Sequence, residues 1–227
     1  MRSALVTGGS SGIGIAIARM LREEGFAITL VARGADRLEA AAAELGANAI
    51  QASVASEDDC VRIIAEHLST HDGGLDVLVN SAGVGIASAL GDLTAKALDL
   101  QFAVNVRGAA ILTREALPAL RAARGLVVNV ASIAGTVPTP GLGVYGATKA
   151  ALIALTRTLV REEAGNGVRA TALCPGFVDT PMAEWTGIPG DQLIQPEDCA
   201  ELVRGLLRLS PAARVPVIVV ERGDSAA

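Results

Sequence analysis

Aromatic side chains are scarce in this chain of 227 residues, at 2% of the sequence. There is one tyrosine, Tyr145, one tryptophan, Trp185, and three phenylalanines, so aromatic packing cannot build the core. Apolar residues still make up 51% of the chain, which leaves alanine, valine, leucine and isoleucine to fill it. A core of this kind suits a sheet packed between helices.

Cysteines, long apolar runs and charge of one sign are also lacking. The three cysteines (Cys60, Cys174 and Cys199) are an odd number without CxxC spacing, which argues against a disulfide framework and a structural metal site. There is no basic leader and no apolar stretch of about 18 residues, so we expect a cytoplasmic protein without a membrane span. A net charge of −5, with both signs interspersed, argues against nucleic acid or an anionic membrane as partner.

A glycine-rich segment follows the first apolar run. Ser3–Thr7 is predicted to be a strand, Gly8–Gly14 reads GGSSGIG, and a helical pattern then extends from Ile13 to Glu24. Glycines let the backbone approach a pyrophosphate, and a helix N-terminus offers it free N–H groups. The context favours a nucleotide site, the alternative being a plain strand-to-helix turn.

The end of the second predicted strand bears on the choice of nucleotide. An acidic residue there would bind the ribose hydroxyls and repel a 2′-phosphate, but the chain has Ala32 followed by Arg33. A guanidinium can bind a phosphate through two hydrogen bonds. Arg33 therefore favours NADP(H) over NAD(H), unless it is only a solvated arginine that opens a helix.

Predicted strands and helices alternate along the whole chain. The strands are continuous β-branched runs, which predicts a parallel sheet covered on both faces, and ligands of such sheets bind at the carboxyl ends of the strands. The predicted strands are Ser3–Thr7, Ala27–Ala32, Asn48–Ala52, Leu75–Val79, Leu126–Ala131, Val168–Leu173 and Val215–Val220. The predicted helices are Ile13–Glu24, Asp36–Leu45, Glu57–Thr70, Thr94–Ala103, Ala109–Ala123, Ala147–Glu163 and Pro196–Leu209. We expect one domain over residues 1–227.

The two histidines, His67 and His71, are four residues apart and could share a helix face. A metal site would need a third ligand, which no nearby carboxylate pattern demands. We therefore expect a solvated helix end here and no bound metal.

Tyr145 and Lys149 are spaced to share one helix face. A tyrosine is a poor acid at neutral pH, but a nearby ammonium group favours the phenolate and lowers the phenol pKa. Such a pair can act as a general acid or base. Taken alone, the motif more often marks a half-buried tyrosine beside a surface lysine.

Six motifs in order resemble the short-chain dehydrogenase/reductase family, and within it the 3-oxoacyl-[acyl-carrier-protein] reductase-like members. They are Thr7-Gly8-x-x-x-Gly12-x-Gly14, Asn80-Ser-Ala-Gly83, Asn105, Ser132, Tyr145-x-x-x-Lys149 and Pro175-Gly176. They cover nearly the whole chain. The resemblance implies a Rossmann-type, doubly wound α/β fold with a seven-stranded, mostly parallel sheet and helices on both faces. It also implies an NADP(H)-dependent oxidoreductase that interconverts a ketone and a secondary alcohol.

The resemblance assigns roles by position. Tyr145 would donate a proton to the carbonyl oxygen, Ser132 would hydrogen-bond it, and Lys149 would hold the nicotinamide ribose and lower the Tyr145 pKa. Asn105 would hold a water in the proton relay. Cofactor contacts would come from Gly8, Ser10, Ser11, Ile13, Arg33, Val54, Asn80, Ala82, Gly83, Tyr145, Lys149, Pro175, Gly176, Val178 and Thr180. Structural alternatives remain for several: Asn80 and Asn105 could only tie strands together, and Ser132 could only cap a loop.

The chain also departs from the family pattern. Ser53 stands where an aspartate often binds adenine, with Val54 beside the ring, and Ser11 stands where some NADP-dependent members have a basic residue. The substrate loop, at about residues 181–195, is short and contains Met182 and Trp185. We expect these side chains to form an apolar wall of the substrate pocket, although an exposed Trp185 could equally pack against a neighbouring subunit.

Two other functions fit the same fold. One is a catalytically idle NADP(H) sensor or scaffold, which would be free to lose Tyr145 or Lys149. The other is a sugar-nucleotide epimerase or dehydratase, but too little sequence follows Pro181 for its substrate domain. The resemblance also implies a homodimer or homotetramer formed through helices Ala109–Ala123 and Ala147–Glu163 and the last strand.

Overall fold

A computed structural model describes residues 1–223, so the last four residues of the expected domain lie outside the described part. Its strands are β1 Ser3–Thr7, β2 Ala27–Ala32, β3 Asn48–Gln51, β4 Val77–Asn80, β5 Leu126–Val130, β6 Arg169–Pro175 and β7 Val217–Val220. Its α-helices are α1 Gly12–Glu23, α2 Ala35–Leu45, α3 Glu57–Thr70, α4 Ala95–Phe102, α5 Ala109–Ala123, α6 Gly143–Glu162 and α7 Pro196–Arg208.

Within residues 1–223 the strands form one seven-stranded sheet in the order β3-β2-β1-β4-β5-β6-β7. Every adjacent pair is parallel, including β1 with β4 at the point where the strand order reverses. The predicted doubly wound α/β fold is confirmed. Because the strands are parallel, Thr7, Asn80, Ser132 and Pro175 lie at or just beyond one edge of the sheet.

Two apolar layers cover the sheet. Side chains of α1, α2 and α7 pack on one face, and side chains of α3, α5 and α6 pack on the other. Successive residues of β1 alternate between these layers: Ala4 and Val6 belong to the first and Leu5 to the second. None of the helices in residues 1–223 has the length and apolar character that a membrane crossing needs.

Helix α6 begins earlier than its apolar pattern predicts. It starts at Gly143, not Ala147, so Tyr145 lies in its first turn. Gly143 and Gly146 have low helix propensity, which hides this turn in the sequence. Gly146 is required by a close approach, because a Cβ atom there would lie 2.6 Å from the carbonyl oxygen of Ala134.

The helix that contains Asn105 is continuous with its neighbours. A π-helical segment, Ala103–Gly108, joins α4 to α5 and buries Asn105. Such segments insert an extra residue into an α-helix and often occur at functional sites. The apolar period breaks at Asn105 for this reason, not because the helix ends there.

The prediction of a solvated helix end is wrong for His67, which is fully buried, whereas His71 is partly exposed. His67 Nδ1 lies 2.8 Å from Thr29 Oγ1 and His67 Nε2 lies 3.3 Å from Ser3 Oγ, while His71 Nε2 lies 3.0 Å from Thr29 Oγ1. Burial lowers the pKa of His67 to about 4, with a further decrease from His71 and a partial increase from the Gly74 carbonyl. The error arose because Thr29 and Ser3 are distant in sequence.

Candidate active site

The glycine loop between β1 and α1 leaves no room for side chains. A Cβ atom at Gly14 would lie 2.3 Å from the carbonyl oxygen of Gly8, and one at Gly12 would lie 2.9 Å from Thr180 Cγ2. Gly8 and Gly12 also have φ values of +66° and +53°, in the left-handed region that favours glycine. Ser11, the N-cap of α1, makes no capping hydrogen bond, and the first turn has no acidic residue. The loop therefore presents backbone N–H groups to an anion.

Thr7 joins this loop to the segment after β4. Its hydroxyl donates to the Val79 carbonyl at 3.3 Å and accepts from the N–H groups of Ser81 and Ala82 at 3.2 Å each. The Cβ position of Gly8 is only 2.9 Å from the Ala82 nitrogen. Sequence reasoning quoted Thr7 in the motif but assigned it no role.

Asn80 is part of a buried polar chain beneath the site. Its Nδ2 donates to Asn129 Oδ1 at 2.8 Å and to Thr113 Oγ1 at 3.3 Å, and Asn129 Nδ2 donates to Thr156 Oγ1 at 2.8 Å. Asn80 Oδ1 is buried and accepts no hydrogen bond from residues 1–223. These contacts make Asn80 a link between β4, β5 and α5, as the structural alternative expected.

The side chain of Asn105 binds the backbone of the segment after β4. Its Oδ1 accepts from the Val84 N–H and its Nδ2 donates to the Val84 carbonyl, both at 2.8 Å. The second Nδ2 hydrogen is directed to Thr148 Oγ1 at 3.0 Å. Both donors of the amide are therefore used by protein atoms, and only one Oδ1 lone pair is left for the water that the resemblance assigns to Asn105.

Ser132, Tyr145 and Lys149 lie together beyond the carboxyl end of β5. The Ser132 hydroxyl accepts from the Ala134 N–H at 3.2 Å, which caps a short 3₁₀ turn, and it also hydrogen-bonds Tyr145. Lys149 Nζ lies 5.6 Å from the centroid of the Tyr145 ring and donates to the Val130 carbonyl at 2.7 Å. The structure thus brings the three predicted catalytic residues together.

The Tyr145 phenol differs from expectation in its pKa. Burial raises the pKa of Tyr145 above its usual value, and the hydrogen bond with Ser132 lowers it only in part. A net decrease caused by Lys149 was expected, so that expectation is wrong for the protein alone. The phenol is held as a neutral proton donor, because burial penalises its phenolate.

Burial also decides the state of Lys149, which is 4% exposed. It lowers the pKa of the ammonium group to about 8, with a small opposing effect from Cys174. The nearby thiol of Cys174 has a pKa raised to about 11 by burial. Lys149 is therefore still mostly protonated at neutral pH, and its positive charge favours a phenolate on Tyr145.

The remaining predicted cofactor residues surround the glycine loop and the end of β6. Gly176 donates its N–H to the Val220 carbonyl at 2.8 Å, Val178 is buried, and Thr180 contacts the Gly12 position. Val54 is 9% exposed, and its carbonyl lies 2.3 Å from the Cβ position of Gly108.

Arg33 is exposed beyond β2, and the structure adds a second arginine that was not predicted. Arg37, one turn into α2, lines a hollow of about 280 Å³ that reaches the glycine loop at Ser10. The other residues that line it are Ile15, Arg19, Ala40, Ala41 and Glu44.

The short loop after β6 exposes large apolar side chains. Trp185 is 64% exposed and Met182 is 48% exposed. The Trp185 ring lies edge-on to the ring of Phe177, with centroids 6.0 Å apart. Phe177 directly follows Gly176, and sequence reasoning did not include it in the apolar wall.

Comparisons with known proteins agree with this geometry. The family described as short chain dehydrogenase matches residues 2–187. An uncharacterized oxidoreductase of Staphylococcus epidermidis is 38% identical over 206 residues, which cover 88% of each chain. One of Staphylococcus aureus is 35% identical over 204 residues, again 88% of each.

Solved structures are similar over the whole fold. An alcohol dehydrogenase of Thermococcus sibiricus, complexed with 5-hydroxy-NADP, has a TM-score of 0.90 and 32% identity, and covers 100% of this chain and 99% of its own. A mutant short-chain dehydrogenase/reductase of Serratia marcescens has a TM-score of 0.91 and 30% identity. The match covers 99% of this chain and 98% of the Serratia chain. The chain therefore belongs to the short-chain dehydrogenase family and is an NAD(P)-dependent dehydrogenase or reductase.

Proposed function

We propose that this protein is an NADP(H)-dependent oxidoreductase that interconverts a ketone and a secondary alcohol. One observation carries the proposal: a neutral, partly buried Tyr145 phenol lies between the Ser132 hydroxyl and Lys149 at the carboxyl edge of the sheet. A carbonyl oxygen that accepts a hydride on its carbon becomes an alkoxide and needs a proton at once. A phenol with a raised pKa is protonated at neutral pH and can supply it.

The residues of the chain divide this chemistry. A bound nicotinamide would supply the hydride for the carbonyl carbon. Ser132 donates a hydrogen bond to the carbonyl oxygen and stabilises the charge that develops there. Tyr145 transfers its phenolic proton to that oxygen, and Lys149 favours the resulting phenolate until a proton from water restores the phenol. In the reverse direction the same groups remove the alcohol proton.

The residues fit a dinucleotide. Gly8, Gly12 and Gly14 have no room for a Cβ atom, so glycine at these positions lets the backbone of the loop approach a pyrophosphate. Ser10, Ser11 and Ile13 would hold the pyrophosphate at the start of α1, and Asn80, Ala82 and Gly83 would lie near the adenosine half, with Val54 beside the ring. Pro175, Gly176, Val178 and Thr180 would seat the nicotinamide. Lys149 would bind the nicotinamide ribose.

The preference for NADP(H) rests on Arg33, with Arg37 as a second cation beside Ser10. Replacing Arg33 by alanine is expected to raise the KM for NADPH by about tenfold to a hundredfold, because one charge-assisted pair of hydrogen bonds to the 2′-phosphate is lost. The KM for NADH should change little, because NADH lacks this phosphate. Steady-state kinetics with both cofactors measure this. Arg22→Ala, at the far end of α1, is the matched control and should change neither KM. Equal KM values for NADPH and NADH in the wild type would contradict the preference.

The substrate side favours a carbonyl compound with an apolar body. Phe177, Met182 and Trp185 are exposed beside the site, where an apolar ligand would bury them. The test is loss of NADPH absorbance with a panel of ketones and quinones. A 3-oxoacyl thioester belongs in the panel because the chain resembles 3-oxoacyl-[acyl-carrier-protein] reductase-like proteins. No turnover of any member, with NADPH bound, would favour an idle sensor instead.

We also propose that the protein is a homodimer or homotetramer. Leu100 and Phe102 on α4 and Leu155 on α6 are each 38–42% exposed, and the first two line a hollow of about 510 Å³. Light scattering should give two or four times the 23.0 kDa chain mass. Phe102→Asp should lower that mass, whereas Val61→Asp, at an apolar site of similar exposure on α3, should not. A monomeric wild type at micromolar concentration would contradict this.

The cysteines in residues 1–223 are all free and buried, which suits a protein of the reducing cytoplasm.

A further inference from the structure

Thr148 lies between Tyr145 and Lys149 in α6 and is fully buried. Its hydroxyl donates to the Tyr145 carbonyl at 2.7 Å and lies 3.0 Å from Asn105 Nδ2. A hydroxyl has one hydrogen to donate, and the Asn105 amide nitrogen can only donate. The direction of both bonds is therefore fixed: Asn105 gives a hydrogen to Thr148, and Thr148 gives its own to Tyr145.

The same Asn105 amide hydrogen-bonds both the N–H and the carbonyl of Val84. Thr148 is thus the point at which three parts of the site meet: the segment after β4, the π-helical segment Ala103–Gly108 and the first turn of α6. Other hydrogen bonds also join these parts, among them those of the Ile86 N–H with Gln101 and of the Ser88 N–H with the Gly141 carbonyl. The only side-chain hydroxyl that links α6 to the Asn105 amide within residues 1–223 is that of Thr148.

The segment held in this way packs directly on the reacting groups. A Cβ atom at Gly85 would lie 3.4 Å from Tyr145 Cδ2, so Gly85 packs against the phenol ring. A Cβ atom at Gly83 would lie 3.5 Å from Lys149 Nζ. A small displacement of Val84 would therefore change the burial of both the phenol and the ammonium group.

We propose that Thr148 is a positioning residue, whose hydroxyl fixes the place and the burial of Tyr145 through Asn105 and Val84. It does not touch the reacting atoms. Removing its hydroxyl leaves a buried Asn105 hydrogen without an acceptor, and the Tyr145 carbonyl keeps only the backbone donor that α6 supplies. The segment that carries Gly83 and Gly85 then loosens. The effect of Thr148 on kcat rests on the proposed carbonyl reduction, whereas its effect on the pKa of Tyr145 does not.

Thr156 provides a matched control two turns further along α6. It is also fully buried, donates to the Leu152 carbonyl at 2.7 Å and accepts from an asparagine, Asn129 Nδ2, at 2.8 Å. Thr148→Val and Thr156→Val thus each remove one hydrogen bond to a helix carbonyl and one from an asparagine amide, at two equally buried positions. They differ in their distance from Tyr145 and in the asparagine that they serve, since Asn129 joins Thr156 to Asn80 and Asn105 joins Thr148 to Val84.

Tyr145 can be titrated alone because it is the only tyrosine of the chain. Ultraviolet absorption of the tyrosinate gives its pKa without substrate or cofactor, and circular dichroism at each pH checks that the chain stays folded. We expect Thr148→Val to lower the Tyr145 pKa by about half a unit or more, because a looser segment exposes the phenol. Thr156→Val should leave it unchanged, and Thr148→Ser, which keeps the hydroxyl, should restore the wild-type value.

Kinetics provide a second readout. Thr148→Val should lower kcat by about tenfold or more, because a small misplacement of a catalytic group is costly. Thr156→Val should lower only the melting temperature. If both valine variants give the same Tyr145 pKa and the same kcat, the proposal is overturned. If the wild type turns over no carbonyl compound, the proposed function fails, while the titration still decides the role of Thr148.

Discussion

Replacing Tyr145 by phenylalanine is expected to lower kcat for carbonyl reduction by about 10²- to 10⁴-fold, the range that a positioned general acid contributes. The substitution removes one oxygen atom and keeps the ring that packs against Gly85. The rate falls because the alkoxide that forms on hydride addition has no proton donor at hand. Loss of NADPH absorbance with the best ketone of the panel measures the effect.

The control for this variant is cofactor binding. Quenching of the fluorescence of Trp185, the only tryptophan, should give the same Kd for NADPH in both proteins, because the phenol oxygen contributes little to ground-state binding of the dinucleotide. The melting temperature should also be close to that of the wild type. A Tyr145→Phe enzyme as active as the wild type would refute the mechanism, and equal, undetectable activity in both would favour the idle sensor.

Acidification is expected to destabilise the fold well above the pH at which carboxylates titrate. In the unfolded chain His67 has a pKa near 6.5, and in the folded chain burial lowers it to about 4. Below pH 6.5 the unfolded chain therefore binds a proton that the folded chain does not. The free energy of unfolding should fall by about 3 kcal/mol as the pH goes from 6.5 to 4, at about 1.36 kcal/mol per pH unit.

The hydrogen bonds around His67 explain why the folded chain resists the proton. Ser3 Oγ donates to the Gly74 carbonyl at 2.8 Å, so it must accept from His67 Nε2, and His67 Nδ1 is left to accept from Thr29. A proton on Nδ1 would face the Thr29 hydroxyl hydrogen, and His71 is already within hydrogen-bond distance of that oxygen.

Urea unfolding at a series of pH values tests this expectation. His67→Gln should be less stable than the wild type at pH 7, but should lose the slope between pH 6.5 and 4.5. His71→Gln is the matched control and should keep most of it, because His71 is only partly buried. A wild-type stability that does not change over this window would refute the assignment. The carboxylates whose pKa is lowered by arginines, such as Glu24 and Glu163, lose their contribution only at lower pH.

The fold could be predicted from sequence because its signals are local. Alternation of β-branched runs with helical periods indicates a parallel sheet, and the glycines after Ser3–Thr7 mark the first crossover. The ends of elements were less certain. β4 runs from Val77 to Asn80, two residues later than the predicted start, because Leu75 is buried without joining the sheet. The apolar residues at Val215 and Pro216 were likewise included in β7, which begins at Val217.

The site was predictable in membership but not in its interactions. Motif spacing identified Ser132, Tyr145 and Lys149, because the carboxyl ends of parallel strands converge. It could not show that the Asn105 amide is occupied by Val84 and Thr148, since these partners are 21 and 43 residues away. The raised pKa of Tyr145 could not be predicted for a similar reason. The sequence shows a lysine four residues away, whose charge favours a lower pKa, but it does not show that distant segments bury the phenol and raise its pKa.

The π-helical segment lets α4 and α5 have different rotational orientations about the helix axis. In an α-helix each residue turns the chain by about 100°, so the extra residue in Ala103–Gly108 rotates α4 about its axis by that angle relative to α5. Asn105 faces Val84 and Thr148 as a result, while Leu100 and Phe102 face outward. The length of this segment therefore determines which side of α4 is available to solvent, without any change in the helix that packs on the sheet.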